Sequence, residues 1–311
     1  MYKEYGSTDV MYFADVQIPN VESGEVLIDV KAAGINPTDI RMRSGKLKLL
    51  SVFTGRFPKA MGLDYAGVIA KVGPSVADFA VGDKVFGPMP LKGGSFTESI
   101  KVSTKKLRSI PSNLDFAQAS TLTLNGGTAI AAVNKYVKPV ENMKVFINGA
   151  SGGVGLFMLQ ICVAKGAKVE ASCGAESVDK LKELGAANAF DYKTTNIFSS
   201  GQKYDVVVDC SGHMKANDAV AILNDSGTFV TLTPDAASII AQVKSLFGSK
   251  KVKGVMAKAS ERDMDELIGL VMAGKVQCVV GKTFPMGDAI EAHKEVEAGT
   301  LALTGKVVLV A

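Results

Sequence analysis

The chain has 311 residues, 47% hydrophobic and 21% charged, with 35 basic residues against 31 acidic and a net charge of +4. That length suggests about two domains with sizeable cores, and the near-cancelling charge gives no support to nucleic-acid or membrane-surface binding. The longest apolar runs are about a dozen residues, too short to span a bilayer, and the start MYKEYGSTDV reads as neither signal nor transit peptide, so cytoplasm is the default.

Residues 1–110 read as β-rich. Val26–Ala32 is a partly alternating strand, and Asn36-Pro37 starts a turn with a short helix behind it. Further turn-and-strand signals follow at 61–73, 82–86 and 93–102, a pattern that predicts a compact antiparallel barrel or sandwich. The texture changes near Pro111. A helix over 116–120 carries an N-cap signal at Asp115, and a second helix begins near Thr128 and ends before Val137.

From Lys144 strands and helices alternate. Val145–Ile147 predicts a buried strand, Val154–Ala164 a buried helix, and Ala167–Cys173 the next strand. Strands at 187–192, 204–210, 227–232 and 251–257, with helices at 236–246 and 262–273, make this part a doubly wound parallel sheet. The tail Lys306–Val310 is again a strand and is expected to return to the first domain. The domains are therefore 1–112 with 276–311, and 113–275.

Between the first parallel strand and its helix lies Asn148–Gly155, NGASGGVG. Ala150, Gly152 and Gly155 occupy the three places of the G-x-G-x-x-G fingerprint, with alanine in the first. Missing side chains let a diphosphate reach the backbone, and a helix N-terminus offers it unpaired N–H groups. Ser151, Gly153 and Val154 complete the candidate cradle.

Other chemistries lack their residues. Cys162, Cys173, Cys210 and Cys278 are scattered, with no C-x-x-C pair, and read as inert buried thiols. With only His213 and His293 available, a Ser–His–Asp or zinc hydrolase is hard to assemble. Lys250, Lys251, Lys253 and Lys258 read as a solvated face.

The motifs Gly34–Asp39, Gly62–Gly67, Val81–Val85, Asn148–Gly155, Leu184–Ala186 and Thr304–Leu309, in that order, resemble the medium-chain dehydrogenase/reductase superfamily. Within it the match is to the zinc-independent quinone oxidoreductase branch, and it covers essentially the whole chain. Zinc-dependent members carry cysteine at the place of Asn36 and a His-Glu pair at the place of Leu63-Asp64, so no metal is expected here. The resemblance implies a GroES-like, β-rich catalytic domain joined to a Rossmann domain, a homodimer, and hydride transfer from NADPH to quinones or α,β-unsaturated carbonyls. Such chemistry resides in the cofactor and asks the protein for positioning and dryness.

On this reading Asn36 contacts substrate or nicotinamide, and its amide is one candidate donor to a developing oxyanion, beside backbone N–H groups and solvent. Asp39 is a further candidate on the substrate side and equally a hydrogen-bond acceptor of the helix turn; Tyr65 is a candidate hydroxyl for the site, with apolar packing the favoured reading. Thr128 and Thr231 are assigned to the cofactor. Beyond the second strand, Ser172, Gly174 and Ser177 suit a 2′-phosphate, with Lys180 for charge and Tyr192 implied by the branch. Glu176 opposes this, because a carboxylate repels phosphate and an acid near this place serves NADH instead. NADPH is preferred to NADH. The competing readings are a nucleotide-binding structural or regulatory module with little turnover, and an enoyl-thioester reductase.

Overall fold

The structure, a computed structural model, describes residues 1–48, 55–255, 258–299 and 301–311. The chain opens with β1 (Glu25–Gly34), α1 (Pro37–Arg43), β2 (Asp64–Val72), β3 (Lys84–Pro88), β4 (Ser99–Ser103), β5 (Arg108–Ser109) and α2 (Phe116–Ser120). Next come α3 (Gly127–Ala132), β6 (Lys144–Asn148), α4 (Gly153–Ala164), β7 (Lys168–Cys173), α5 (Val178–Glu183), β8 (Asn188–Asp191) and β9 (Tyr204–Asp209). After them run α6 (Ala216–Ala221), β10 (Leu223–Thr231), α7 (Ala236–Lys244), β11 (Lys251–Gly254), α8 (Glu261–Met272), β12 (Val280–Pro285), α9 (Ala289–Ala298) and β13 (Lys306–Val310). No helix among the described residues is long and apolar enough to cross a membrane.

The chain divides into two compact units. The first comprises Met1–Leu124, Val280–Leu301 and Lys306–Ala311; the second comprises Asn125–Val279 and Ala302–Gly305. The second unit thus begins at Asn125 rather than at the change of texture near Pro111, because α2 packs on β1 and β2 of the first.

Among the described residues the first unit holds a seven-stranded sheet in the order β12-β13-β1-β2-β3-β5, with β4 also on β1. Its hub is β1. Val26, Ile28 and Val30 alternate inward and are fully buried, and the strand pairs antiparallel with β2, β4 and β13. Its last residues, Ala32–Gly34, pair with Val310–Val308 and are buried throughout. β12 carries little strand signal, since Gly281 and Pro285 interrupt it, yet it lies parallel to β13. Pro37 opens α1 at a position that needs no amide hydrogen, and the Asp39 carboxylate accepts the Asn36 N–H at 2.8 Å.

The second unit carries a six-stranded sheet in the order β11-β10-β9-β6-β7-β8, every pair parallel. Parallel strands need crossovers, which cover both faces and demand continuous apolar strands such as Val206–Val208. Helix α4 is buried from Gly155 to Cys162 and apolar on every side but for Gln160. Gln160 is satisfied, donating to Leu156 O and Gln277 O and accepting the Gln277 N–H. The strand predicted over 251–257 stops at Gly254 in the structure, and its last two positions lie outside the described residues.

Candidate functional site

Strand order reverses between β6 and β9, and the glycine turn emerges from the C-terminal end of β6, where open α/β sheets bind ligands. The tight turn is made by Gly149, with φ +75°, one residue before the alanine in the fingerprint's first place. Its N–H and that of Ala150 both donate to Ser172 O, at 3.2 and 3.0 Å. The glycines of the turn serve different ends. A Cβ on Gly155 would lie 2.4 Å from Gly149 O, so the protein itself requires glycine there. A Cβ on Gly153 would lie 2.9 Å from the Asn125 side chain. On Gly152, however, it would meet only Gly149 O, at an ordinary 3.6 Å.

Gly152 is exposed, is the N-cap of α4, and offers no side-chain cap. The first-turn amides of this twelve-residue helix therefore have no side-chain cap. The buried Asn125 Oδ1 beside them has no hydrogen-bond partner. An open Cβ position and uncapped amides fit a dinucleotide diphosphate, whereas the Asn125 oxygen, an acceptor, would need a donor group. Sequence reasoning missed Asn125; its signal is a polar residue ahead of Gly126-Gly127, legible only once α4 packs against it.

Asn148 ties three strand ends together. It donates to Asp209 Oδ1 at 2.9 Å and Ser211 Oγ at 2.8 Å, and accepts from Ser172 Oγ at 2.6 Å. Asp209, fully buried, in turn receives the Ser211 and Gly212 N–H groups and shapes the loop beyond β9. Beside this floor opens a cavity of 270 Å³ lined by Asn148, Ser172, Phe190, Tyr192, Lys193 and Met214, among others.

The predicted cofactor residues divide accordingly. Ala150, Ser151, Gly152, Gly153, Val154 and Gly155 form the turn and helix mouth, and Ser172 and Tyr192 line the cavity. Thr128, half-buried, stands in the first turn of α3, and Thr231 ends β10 at the sheet's C-terminal edge, its Oγ1 taking the Thr233 N–H. Ser177 corrects the sequence reading: it is fully buried and accepts the Thr304 hydroxyl at 2.6 Å, fastening segment 302–305 instead of presenting a hydroxyl. Lys180 pairs with Glu183 at 3.0 Å, one turn along the same helix. Gly174 lies under the Glu176 carboxylate, which would sit 2.3 Å from a Cβ there. Glu170 is spoken for, because it accepts the Tyr204 hydroxyl at 2.5 Å.

In the first unit, Asn36, Asp39, Asp64 and Lys306 form a buried polar cluster. Asn36 Nδ2 donates to Gly34 O at 3.1 Å and Asp64 Oδ2 at 3.0 Å, while Lys306 Nζ donates to Asn36 Oδ1 at 2.5 Å. The Gly34 N–H completes the group, donating to Asp64 Oδ1 at 2.7 Å. An ammonium on one side and two acceptors on the other decide which way round the amide lies. This revises the expected role of Asn36: both its N–H bonds are committed within the protein, and neither is left for a substrate oxygen.

Burial raises Asp64 to about 6, against the pull of Lys306, Asn36 and the Gly34 amide. Burial followed by the neighbouring charge of Asp64 raises Asp39, and burial lowers Lys306 against the pull of both carboxylates. Lys306 escaped the sequence reading, being the polar first residue of an otherwise apolar strand. Gly34 makes room for it, since a Cβ there would crowd both Asp64 Oδ1 and Lys306 Cε at 3.0 Å.

Tyr65 is not a site residue but follows the packing alternative. Its ring belongs to the apolar core with Val26, Ile28, Val30 and Ile69, and burial raises its hydroxyl pKa. The position is one of packing. His293 is buried edge-on to Phe96 at 5.6 Å, and burial followed by the Arg43 charge lowers it to about 3. It stays neutral at any physiological pH. Burial pushes the Cys162 thiol up to about 12, which suits an inert side chain.

A glycine turn at the mouth of a crossover helix, set at the switch point of a parallel sheet, is the arrangement of a nicotinamide-dinucleotide oxidoreductase. Residues 184–309 match the family described as zinc-binding dehydrogenase, and residues 22–112 the alcohol dehydrogenase GroES-like domain. The chain is 33% identical to the mitochondrial NAD(P)H oxidoreductase RTN4IP1 of Bos taurus, over 95% of this chain and 85% of that protein. It is 35% identical to the chloroplastic NADPH-dependent alkenal/one oxidoreductase of Arabidopsis thaliana, over 75% of this chain and 61% of that one. It also resembles the solved quinone oxidoreductase from Coxiella burnetii, with TM-score 0.89, 25% identity, and 100% and 98% of the two chains covered. The chain belongs to the medium-chain dehydrogenase/reductase superfamily.

The zinc of that family name does not fit the residues present. Leu63 has no donor atom, and the Asn36 oxygen is taken by an ammonium. Among the described residues no three His, Cys, Asp or Glu side chains gather as a metal site.

Proposed function

We propose that this protein transfers a hydride from NADPH to quinones or to the β-carbon of α,β-unsaturated aldehydes and ketones, without a metal. The observation that carries the reading is the exposed, uncapped mouth of α4 at Gly152, where a Cβ would meet nothing closer than Gly149 O at 3.6 Å. The names of the Arabidopsis and Coxiella relatives, an alkenal/one and a quinone oxidoreductase, support the acceptor class.

A bound reduced nicotinamide supplies the hydride. The protein's part is to hold and orient. Amides of Gly153, Val154 and Gly155 grip the diphosphate. Asn148, Ser172 and Asp209 keep the strand ends rigid beneath it. As hydride reaches the acceptor, negative charge arrives on its oxygen. With both Asn36 N–H bonds committed, that charge is met by backbone N–H groups or water, and water supplies the completing proton.

A second reading, NADH as the working cofactor, is favoured by the Glu176 carboxylate over Gly174. The deciding experiment follows oxidation of NADPH and NADH with benzoquinones, naphthoquinones, short enals and long enones. Turnover of quinones or enones supports the proposal. Dinucleotide binding without turnover of any acceptor would leave a binding module, and turnover confined to enoyl thioesters would make it a carrier-linked reductase.

A further inference from the structure

Asn125 carries a buried carbonyl oxygen with no hydrogen-bond partner. The residue lies in the wide π-type turn Leu122–Gly126 that leads into α3, and only 4% of its surface is exposed. An acceptor so placed costs stability, because water is taken from it and nothing is given in return. Packing holds it there. A Cβ on the next residue, Gly126, would lie 2.6 Å from Leu267 Cδ2 of α8 and 3.4 Å from Phe157 Cε1 of α4, so the turn is pressed against both helices. Gly153, the first residue of α4, is bare on the facing side. A Cβ there would lie 2.9 Å from Asn125 Cγ and Nδ2 and 3.1 Å from Oδ1. The amide thus rests directly on the mouth of α4.

The chemistry of that mouth divides in two. The ladder of α4 begins with the Leu156 N–H donating to Gly152 O at 3.0 Å, and the amides of Gly153, Val154 and Gly155 precede it with no acceptor inside the helix. Those three are donors and suit a diphosphate; the Asn125 oxygen is an acceptor and calls for a hydroxyl or an amino group. In a reduced nicotinamide dinucleotide the groups of that kind next to the diphosphate are the ribose hydroxyls. The adenosine ribose is read at the end of the second parallel strand, here β7. Asn125 belongs to the opposite side. Its helix, continued through Val133–Val137, packs on β10, and β9 and β10 lie across β6 from β7 and β8. Thr128 stands three residues further along the same helix, on the same face.

Resting on the reading that the mouth of α4 holds the diphosphate, we infer that Asn125 is a further cofactor-binding residue, its Oδ1 accepting a hydrogen bond from a hydroxyl of the nicotinamide ribose. The terminal torsion of an asparagine is soft, so a small turn of the amide brings the oxygen to the ligand. Binding then supplies the partner that folding withholds. The contact fixes the ribose and, through it, the direction in which the nicotinamide ring is presented. Asn125 takes no proton and no hydride. Its part is to position.

The test is titration calorimetry of the parent, Asn125→Leu and Asn125→Ala with ADP, ADP-ribose and NADH, and with the 2′-phosphorylated form of each. ADP ends at the diphosphate, ADP-ribose adds the second ribose, and the dinucleotide adds the ring. ADP binds the variants as it binds the parent, whereas ADP-ribose and the reduced dinucleotide each bind roughly tenfold more weakly. The melting temperature of Asn125→Leu holds or rises, because an unpartnered buried acceptor has gone; a side chain kept only for structure would show the reverse. Asn125→Ala gives the same binding comparison should leucine not fit against Gly153. A loss already present with ADP would assign the amide to the diphosphate, and a loss confined to the full dinucleotide would assign it to the nicotinamide carboxamide. Either result overturns the inference, as does equal binding of every ligand by parent and variants. A parent that binds none of the series removes the dinucleotide reading itself, and this inference with it.

Discussion

Lys306 Nζ lies 2.5 Å from Asn36 Oδ1, joining residues 270 positions apart in sequence inside the β-sheet unit. The contact places a cation against the Asn36 amide oxygen and fixes the amide so that both N–H bonds point inward.

Removing that cation leaves a buried carboxylate uncompensated. Lys306→Met is expected to lower stability by about 3 kcal/mol, and adding Asp64→Asn to restore a good part of it. Urea unfolding of the two single variants and the double variant measures the coupling; strictly additive losses would mean that ammonium and carboxylate ignore each other.

The cluster also predicts a pH dependence. Asp39 titrates higher folded than in an unfolded chain, where it sits near 3.8, so the folded state holds its proton more tightly. The stability this adds is complete below that ordinary value and is lost as pH climbs toward neutrality. Parent protein should therefore lose stability relative to Asp39→Asn between pH 4 and pH 6, in thermal melts across that range. A constant gap between the two would refute the assignment.

Two glycines of the same turn should respond oppositely to alanine. Gly152→Ala adds a methyl group to open space and should change stability by less than about 0.5 kcal/mol, while weakening dinucleotide binding tenfold or more. Gly155→Ala drives its Cβ to 2.4 Å from Gly149 O, and should cost about 1–3 kcal/mol despite alanine's better helix propensity. Melting curves alongside fluorescence titration with NADPH separate the two effects.

Glu176 should set the balance between cofactors. Its replacement by arginine removes a carboxylate and adds a phosphate partner, so the ratio of NADPH to NADH affinity should rise by roughly tenfold or more. Parallel titrations with the two reduced cofactors decide the matter. An unchanged ratio would place the 2′ position elsewhere, nearer Tyr192 and Lys193.

How much of this was legible in the chain itself depends on the range of the interaction. Alternation in β1, the apolar run Val206–Val208 and the NGASGGVG turn are local signals, because strand period, burial and turn geometry act over a few residues. They declared a β-rich unit, a parallel-sheet unit and a dinucleotide turn. Only the folded structure could show that Ser177 is spent on Thr304 and that Lys306 occupies the Asn36 oxygen. Each of these depends on partners brought together by strand pairing across dozens to hundreds of residues, and a hydrogen-bonding group's availability is known only when its partners are.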